Sequence, residues 1–361
     1  MAPGLSIAFF GSSLVSAYWN GAATYYRGII RALHERGHHI TFYEPDAFDR
    51  QQHRDLGDLA YARSVVYPAT DESGVEKALA DARGADVIVK ASGVGVFDLL
   101  LEERVLELQS ARTRVVFWDV DAPATLDRVQ KAPNDPFRAL IPAYDLVLTY
   151  GGGDPVVRAY TALGARRCVP IYNALDPTTH YPVPPDARFE GTLGFLGNRL
   201  PDREARVQEF FFAPAQALPQ HRFLLGGNGW GQHIPALSNV TYLGHVYTHE
   251  HNAFNCTPLA VLNISRDSMV RYGFSPATRV FEAAGAGACL ITDAWEGLEL
   301  FLEPARECLV AHNSAEVIGH LRELAPERAQ RIGLAAQKRV LAAHTYEHRA
   351  ALVEAVLSQA L

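Results

Sequence analysis

The chain alternates short apolar runs with amphipathic helical segments, and this alternation restricts its fold more than any other feature of the sequence. The run SIAFF ends at Gly11, ATYYRGIIRALHERG has apolar residues at helical spacing, and HITFYE follows as a second apolar run. Short apolar runs between turn signals are typical of buried strands, and a strand–helix–strand order makes the strands parallel. The order continues through DVIVKAS, RVVFW, DLVLTY and RCVPIY, which predicts a parallel sheet covered on both faces.

The alternation stops once and then starts again, which predicts two domains. Residues 173–190 are rich in proline and lack periodicity, so we interpret them as an interdomain linker. Strand-like runs resume with TLGFLG and continue through RFLLGG, NVTYLG, LAVLNIS, ACLITD and ECLVAH. We predict an α/β protein with two Rossmann-like, doubly wound domains, residues 1–172 and 191–343, facing a central cleft. Ligands of such sheets bind outside the carboxyl ends of the strands.

Composition and charge exclude several classes of protein. The 361 residues are 48% hydrophobic and 20% charged, as in a globular protein. The net charge of −7 argues against a nucleic-acid binder, which would carry a basic surface. Apolar runs stay below the ~18 residues of a membrane span, and no signal-peptide pattern precedes SIAFF. We therefore expect a cytoplasmic protein, with peripheral membrane contact left open. The four cysteines lack metal-ligand spacing, and we expect no metal site.

One carboxylate, Glu282, stands in a predicted helix of small and apolar residues from Ser275 to Ala286. Ser275 is predicted to cap the helix, with Pro276 as its first residue. At helical spacing, Ser275, Thr278, Arg279 and Glu282 share a face away from the apolar stripe. A helix amino terminus favours an anion, and a carboxylate accepts from vicinal hydroxyls, so this face suits a nucleotide sugar. An ion pair between Glu282 and Arg279 on a solvated face remains the alternative.

Several motifs together resemble the CgeB-like (spore-maturation-type) glycosyltransferases of the GT-B fold. They are YWNGAATYYRGIIRALHERGHHITFYEPD, FWDVDAPATL, NRLPDRE, FLLGGNGW, YLGHV, LNISRDSM and SPATRVFEAAGAGACLITDAWEGLELFLEP. The resemblance implies that the second domain holds a nucleoside diphosphate sugar and the first builds the acceptor side. It also implies that a final helix, residues 344–361, packs back on the first domain, and that no metal or other cofactor is required. In the wider retaining pattern two glutamates are separated by seven residues. Glu282 matches the second, and the first would fall at position 274, which is Phe274 here.

Further candidates follow predicted strands, where ligands of such sheets bind. Beside this resemblance, each is a candidate contact to the donor nucleotide or its diphosphate. In the second domain they are Gly197, Asn198, Arg199, Arg203, Trp230, His245, Arg266, Asp293, Gly297 and Leu298, and in the first domain Asn20 and Gly21. Trp230 is predicted either to stack on a base or to pack in the core, and His245 either to contact the base or to be structural. Arg266 is expected to contact the diphosphate rather than form a surface ion pair.

A pair of carboxylates after RVVFW provides candidates for the catalytic base. An inverting transfer needs a base to take the acceptor proton, and Asp121 is the first choice and Asp119 the second. Both aspartates could instead cap the loop before Pro123, and a retaining enzyme would not need this base. The acceptor stays open between a glycan, a lipid-linked glycan, a small molecule and a protein. The donor base and sugar and the oligomeric state also stay open.

Three other functions remain as alternatives. A nicotinamide-dependent oxidoreductase would use the first Rossmann-like unit, with Glu44 on the ribose. However, GSSLVSAYWNG lacks the G-x-G-x-x-G pattern, and Glu44 lies farther from Gly11 than the usual ~20 residues. A sugar-nucleotide epimerase can share the two-domain architecture. A catalytically silent carbohydrate-binding or scaffold protein is favoured only by Phe274 at the first glutamate position.

Overall fold

The computed structural model describes residues 4–360, which form two compact units. The first unit comprises residues up to Asn173 together with the segment that begins at Tyr346, and the second comprises Ala174–Thr345. Residues 174–190, interpreted above as a linker, are therefore part of the second unit. Phe189 in this segment is buried, and its ring packs edge-on against Phe254 with 5.6 Å between centroids. The segment thus contributes to a core rather than only connecting two domains.

The first unit is built on a seven-stranded parallel sheet. Its strands are β1 Ser6–Phe10, β2 His39–Asp46, β3 Arg63–Pro68, β4 Val87–Ala91, β5 Arg114–Asp119, β6 Leu146–Thr149 and β7 Cys168–Pro170. Their order is β3-β2-β1-β4-β5-β6-β7, so β1 and β4 lie where the direction of winding reverses. Helices connect the strands: α1 Ala23–Glu35, α2 Glu72–Asp81, α3 Asp98–Arg104, α4 Ala122–Lys131, α5 Pro136–Leu140 and α6 Gly153–Ala162.

The second unit is built on a six-stranded parallel sheet. Its strands are β8 Leu193–Leu196, β9 Phe223–Gly226, β10 Val240–Gly244, β11 Ala260–Asn263, β12 Leu290–Asp293 and β13 Leu309–Ala311. Their order is β10-β9-β8-β11-β12-β13, and β8 pairs with β11 at the centre. The carboxyl ends of β8 and β11 therefore form the switch point, where doubly wound sheets bind ligands.

Seven α-helices and one wider helical turn complete the described part of the second unit. The helices are α7 Pro201–Val207, α8 Ala213–Ala217, α9 His251–Cys256, α10 Asp267–Tyr272, α11 Thr278–Gly285, α12 Ser314–Glu323 and α13 Pro326–Ala343. A π-helical turn over Gln208–Phe212 joins α7 to α8. Pro214 follows this turn and cannot donate a backbone hydrogen bond, which is a physical reason for the wider turn.

The last helix, α14 Tyr346–Ala360, returns to the first unit and packs on α1. Arg36 and His38 both pair with Glu354, with 3.0 Å from His38 Nε2 to the carboxylate. A Cβ atom at Gly28 would lie only 2.1 Å from the Tyr346 ring, so the glycine permits this contact. The two parallel sheets confirm the predicted α/β class. Over residues 4–360, no helix combines the length and apolarity that a bilayer crossing requires.

Candidate functional site

Two arginines meet beside Gly197, the residue that directly follows β8. Arg203 lies in α7 and Arg279 in α11, and their guanidinium carbons lie 5.4 and 5.3 Å from the centroid of the Phe195 ring. A Cβ atom at Gly197 would lie 2.9 Å from Nη2 of Arg203 and 3.0 Å from Nη2 of Arg279. The absence of a side chain at Gly197 therefore lets both guanidinium groups approach the carboxyl end of β8.

The backbone and buried polar groups fix these two arginines. Arg279 donates from Nε to the Leu196 carbonyl oxygen at 2.7 Å and from Nη1 to Oδ1 of Asn263 at 3.1 Å. Arg203 donates from Nη2 to the Asn198 carbonyl oxygen. Burial lowers the pKa of both guanidinium groups, and for Arg203 the nearby Arg279 and Arg266 charges lower the pKa further, to about 9. An anion at this point would relieve the repulsion.

The other two predicted arginines form ion pairs with acidic residues of α7. Nε of Arg266 lies 3.1 Å from Oδ2 of Asp202, which also accepts a hydrogen bond from the Ser268 hydroxyl. Nη2 of Arg199 lies 2.6 Å from Oε2 of Glu204. Each of these positive charges already faces a carboxylate. The local charge balance therefore favours Arg203 and Arg279 as the primary anion-binding pair.

Asp293, at the end of β12, organises the loop after β11. It is completely buried and accepts hydrogen bonds from the Ser265 backbone amide at 2.9 Å and from Nη2 of Arg206 at 2.7 Å. Burial raises the pKa of this carboxyl, while Arg206 partly opposes the rise. The buried side chain therefore holds the loop after β11 in place and is not exposed to a ligand. Sequence reasoning missed its partners Arg206 and Ser265.

The loop after β12 is shaped by close packing around Gly297. Gly297 has a φ of 86°, and a Cβ atom there would lie 2.2 Å from the Phe274 ring. Leu298 is buried in the core, so its side chain is structural. The Phe274 amide donates to the Glu296 carbonyl oxygen at 2.6 Å. Phe274, which occupies the first glutamate position of the retaining pattern, thus locks two loops together.

The start of α11 differs from the prediction. The helix begins at Thr278 with Ala277 at the N-cap position, and the Ser275 hydroxyl donates to the Gly273 carbonyl oxygen at 2.8 Å. The predicted cap at Ser275 is therefore wrong, because its side chain closes a turn before the helix. Thr278 is the first helical residue, and it is partly exposed.

Glu282 is largely buried and lies beside two histidines that sequence reasoning did not identify. Oε1 of Glu282 lies 4.0 Å from Nε2 of His180, and the two side chains are 12% and 2% exposed. One ring nitrogen of His251 completes the group, with all three potential ligand atoms within 4.8 Å of one another. The alternative interpretation, an ion pair between Glu282 and Arg279 on a solvated face, is not what the structure shows. No local spacing pattern links the three residues, so only the fold brings them together.

Trp230 packs in the core, which decides between the two predicted roles. It is 1% exposed, its ring packs edge-on against Phe195 and Phe212, and Nε1 donates to the Gly197 carbonyl oxygen at 2.7 Å. Base stacking by Trp230 is therefore wrong, although its hydrogen bond holds Gly197 in place. Asn198 has a similar supporting role, because its Oδ1 accepts from the Asn228 amide at 2.8 Å.

His245 lies on the surface and has an aromatic neighbour. It is exposed, its ring meets the Tyr247 ring edge-on at 4.5 Å between centroids, and Nδ1 lies 3.4 Å from Nδ2 of Asn228. Tyr247 is 55% exposed. The exposed Tyr247 ring after β10 provides a flat apolar face suited to a base, with the His245 ring at right angles beside it.

In the first unit, Asp119 and Asp121 differ sharply in environment. Asp119 is completely buried and accepts hydrogen bonds from the hydroxyls of Ser92, Thr125 and Tyr160 and from the Asp121 amide. Burial raises the pKa of the Asp119 carboxyl. Asp121 lies at the N-cap position of α4 and is partly exposed. Asp119 is therefore structural, and Asp121 remains the candidate base.

The loop after β1 is held by its own polar side chains. Asn20 donates to the Ser13 and Ser16 carbonyl oxygens at 2.8 and 3.0 Å and is 7% exposed, whereas Gly21 is exposed. Asn20 therefore shapes the loop. Glu44 is buried and accepts from the Leu14 amide at 2.6 Å. Because this hydrogen bond engages the Glu44 carboxylate within the loop, it argues against the alternative in which Glu44 contacts a nicotinamide ribose.

Comparisons with known proteins agree with this architecture. Residues 203–355 match a family described as glycosyl transferase-like. Sucrose-phosphate synthase from Thermosynechococcus elongatus superimposes with a TM-score of 0.72 at 14% identity, covering 98% of both chains. Anabaena HepE, solved with UDP and glucose, gives 0.69 at 15% identity over 98% of this chain and 100% of HepE.

A third solved structure, T4 phage BGT with UDP and Mn²⁺, gives a TM-score of 0.61 at 14% identity and covers 99% of both chains. Among curated proteins, no match to the chain was found. The structural matches confirm the GT-B fold. The chain carries a glycosyl transferase-like domain, which confirms the predicted enzyme class, a glycosyltransferase.

Proposed function

We propose that this glycosyltransferase moves a glycosyl group from a nucleoside diphosphate sugar to an acceptor hydroxyl. The observation that carries the proposal is the Arg203–Arg279 pair beside Gly197, at the switch point of the second sheet. HepE was solved with UDP-glucose and BGT with UDP, so UDP-glucose is the first donor to test. The sequence motifs that resemble the CgeB-like glycosyltransferases also support membership of that group.

The reaction breaks the bond between the anomeric carbon and the diphosphate oxygen and forms one to the acceptor oxygen. Positive charge develops on the sugar, and negative charge develops on the departing diphosphate. Arg203 and Arg279 would stabilise the diphosphate, because fixed charges in a buried site need no reorganisation during the reaction. They supply the charge that a divalent cation supplies elsewhere, so we expect transfer without added Mg²⁺ or Mn²⁺.

Other residues take supporting roles in this proposal. Glu282 would accept from the ribose hydroxyls, and Thr278 and the backbone at Gly297 would contact the donor. His245 with Tyr247 would face the base, since both are exposed after β10. Arg266 and Arg199 would add positive charge near the diphosphate while they remain paired with Asp202 and Glu204. In an inverting transfer, Asp121 would take the acceptor proton.

Asp121→Asn is expected to lower kcat about 100-fold while leaving the dissociation constant for UDP unchanged, because a general base acts only in the chemical step. Release of UDP in the presence of acceptor measures kcat, and calorimetry measures UDP binding. Asp127→Asn is the matched control, since Asp127 lies on the same helix and pairs with Lys131 at the surface. Unchanged kcat in Asp121→Asn would remove Asp121 as base and favour a retaining course.

A ligand screen tests the function as a whole. We expect UDP-, GDP- or dTDP-sugars to raise the melting temperature, and NAD to leave it unchanged. Nucleotide release that depends on an acceptor supports transfer, whereas a change of sugar configuration without acceptor indicates an epimerase. Stabilisation by NAD alone refutes the proposal, and sugar-nucleotide binding without turnover for any acceptor class indicates a catalytically silent binder.

A further inference from the structure

We propose that His180, His251 and Glu282 bind a divalent transition-metal ion, and that the donor set suits Zn²⁺. The site lies wholly within the second unit and joins three separate stretches of chain. His180 comes from the segment before β8, His251 begins α9, and Glu282 lies in α11. Oε1 of Glu282 would bind the ion and leave Oε2 for the ribose hydroxyls, so the metal site and the proposed donor contact use different oxygens of one carboxylate. The inference does not depend on the transfer reaction.

One nitrogen of each histidine ring is buried without a hydrogen bond. Within the part of the chain that the structure describes, neither Nε2 of His180 nor Nδ1 of His251 has a hydrogen-bond partner. A buried polar atom without a partner costs about 1–3 kcal/mol, so two of them beside one carboxylate require an explanation. A shared metal ion would satisfy both nitrogens together.

The opposite nitrogen of each ring is already engaged, in the way that metal-binding histidines require. Nδ1 of His180 lies 3.0 Å from the Thr179 hydroxyl, and Nε2 of His251 lies 3.3 Å from the Val246 carbonyl oxygen. A carbonyl oxygen only accepts, so Nε2 of His251 carries the proton and Nδ1 has the free lone pair. Such hydrogen bonds fix the tautomer and orientation of a metal ligand. Burial lowers the pKa of His251, which is the direction that favours the neutral ring a metal ligand needs.

The distances suit a site that tightens around an ion. The three potential ligand atoms lie within 4.8 Å of one another, and His180 Nε2 lies 4.0 Å from Glu282 Oε1. Zn²⁺ binds imidazole nitrogen and carboxylate oxygen at about 2.0–2.2 Å in a tetrahedron, which places ligand atoms about 3.3 Å apart. Side-chain rotations that shift these atoms by about 1 Å would close the site. Two imidazoles and one carboxylate leave a fourth position for water or a substrate oxygen.

Binding of metal to the untagged chain tests the proposal. After treatment with EDTA and dialysis, the protein is titrated with Co²⁺, whose visible absorption reports tetrahedral coordination, and Zn²⁺ competes for the site. We expect one Co²⁺ per chain and displacement by one Zn²⁺. In His180→Ala and His251→Ala the affinity should fall at least about 100-fold, because each removes a ligand. His249→Ala is the matched control, since His249 is exposed and two residues from His251.

Two further measurements keep the result interpretable. X-ray absorption on the wild-type zinc form should show two imidazole nitrogens and oxygen at about 2.0–2.1 Å, and this needs no variant to fold. UDP affinity, measured on the same samples, should be retained in His251→Ala and lost in Glu282→Ala. Wild-type protein that binds Co²⁺ no more tightly than His251→Ala, or a zinc environment without imidazole, overturns the metal site. If the wild-type protein does not bind UDP, the proposed function is refuted instead.

Discussion

Arg203→Met is expected to lower kcat/KM for the sugar donor by about 10²–10³-fold while leaving the protein at least as stable. The loss follows from removing one fixed charge from the departing diphosphate. Stability is retained because the substitution removes a charge that the folded protein disfavours: burial and the Arg279 and Arg266 charges lower the pKa of Arg203 to about 9. A group whose pKa is lowered on folding destabilises the fold at neutral pH while it is charged. Methionine retains an unbranched apolar side chain and removes only the guanidinium group, which lies over Phe195.

Initial rates and a thermal melt of the same variant separate the two effects. Arg271→Met is the matched control, because Arg271 is exposed on α10 in the same unit. Inorganic pyrophosphate should raise the melting temperature of the wild type and of the control, and leave that of Arg203→Met unchanged. A destabilised Arg203→Met protein whose surviving folded fraction has wild-type kcat/KM would show that Arg203 is structural.

Asp119→Ala is expected to lower the free energy of unfolding of the first unit by about 3 kcal/mol. The substitution leaves the buried hydroxyls of Ser92 and Tyr160 without their acceptor, at about 1–3 kcal/mol each, and also removes the partner of the partly buried Thr125 hydroxyl. Relief of the buried carboxylate, whose pKa burial raises, offsets part of this cost. Urea denaturation followed by circular dichroism measures the change.

Asp119→Asn is the comparison for this prediction. It keeps the shape and one acceptor oxygen, so we expect a smaller loss, about 1 kcal/mol. Donor binding to the second unit should persist in both variants. An Asp119→Ala protein as stable as the wild type but inactive would restore Asp119 as a candidate base.

Apolar periodicity predicts most of the fold, and the elements that it misses have physical causes. Strand β3, RSVVYP, and helix α2 were not predicted. Strand β3 lies at the sheet edge and buries only Tyr67, so it lacks a continuous apolar run. Helix α2 is capped by Asp71, but its apolar stripe is short. A proline such as Pro214 usually interrupts a helix, whereas here a wider turn over Gln208–Phe212 carries the helical segment on to it.

The candidate site was predictable only in part, because sequence locates residues near strand ends but not the direction of their side chains. Arg203 and Arg279 were identified by position, and their meeting at Gly197 depends on two helices that are distant in sequence but follow the neighbouring strands β8 and β11. Trp230 follows a glycine-rich run typical of an exposed loop, yet its indole enters the core. His180 and His251 were missed because they are distant in sequence and have no motif spacing.

The return of α14 to the first unit makes that unit discontinuous, with the entire second unit inserted into it. During synthesis, α1 leaves the ribosome early, but Val353 and Leu357, which are buried in the folded first unit, emerge only after the entire second unit. The inserted unit can mature while its host still lacks a helix and exposes apolar surface. Premature termination between the inserted unit and α14 would therefore damage the first unit and leave the inserted unit intact.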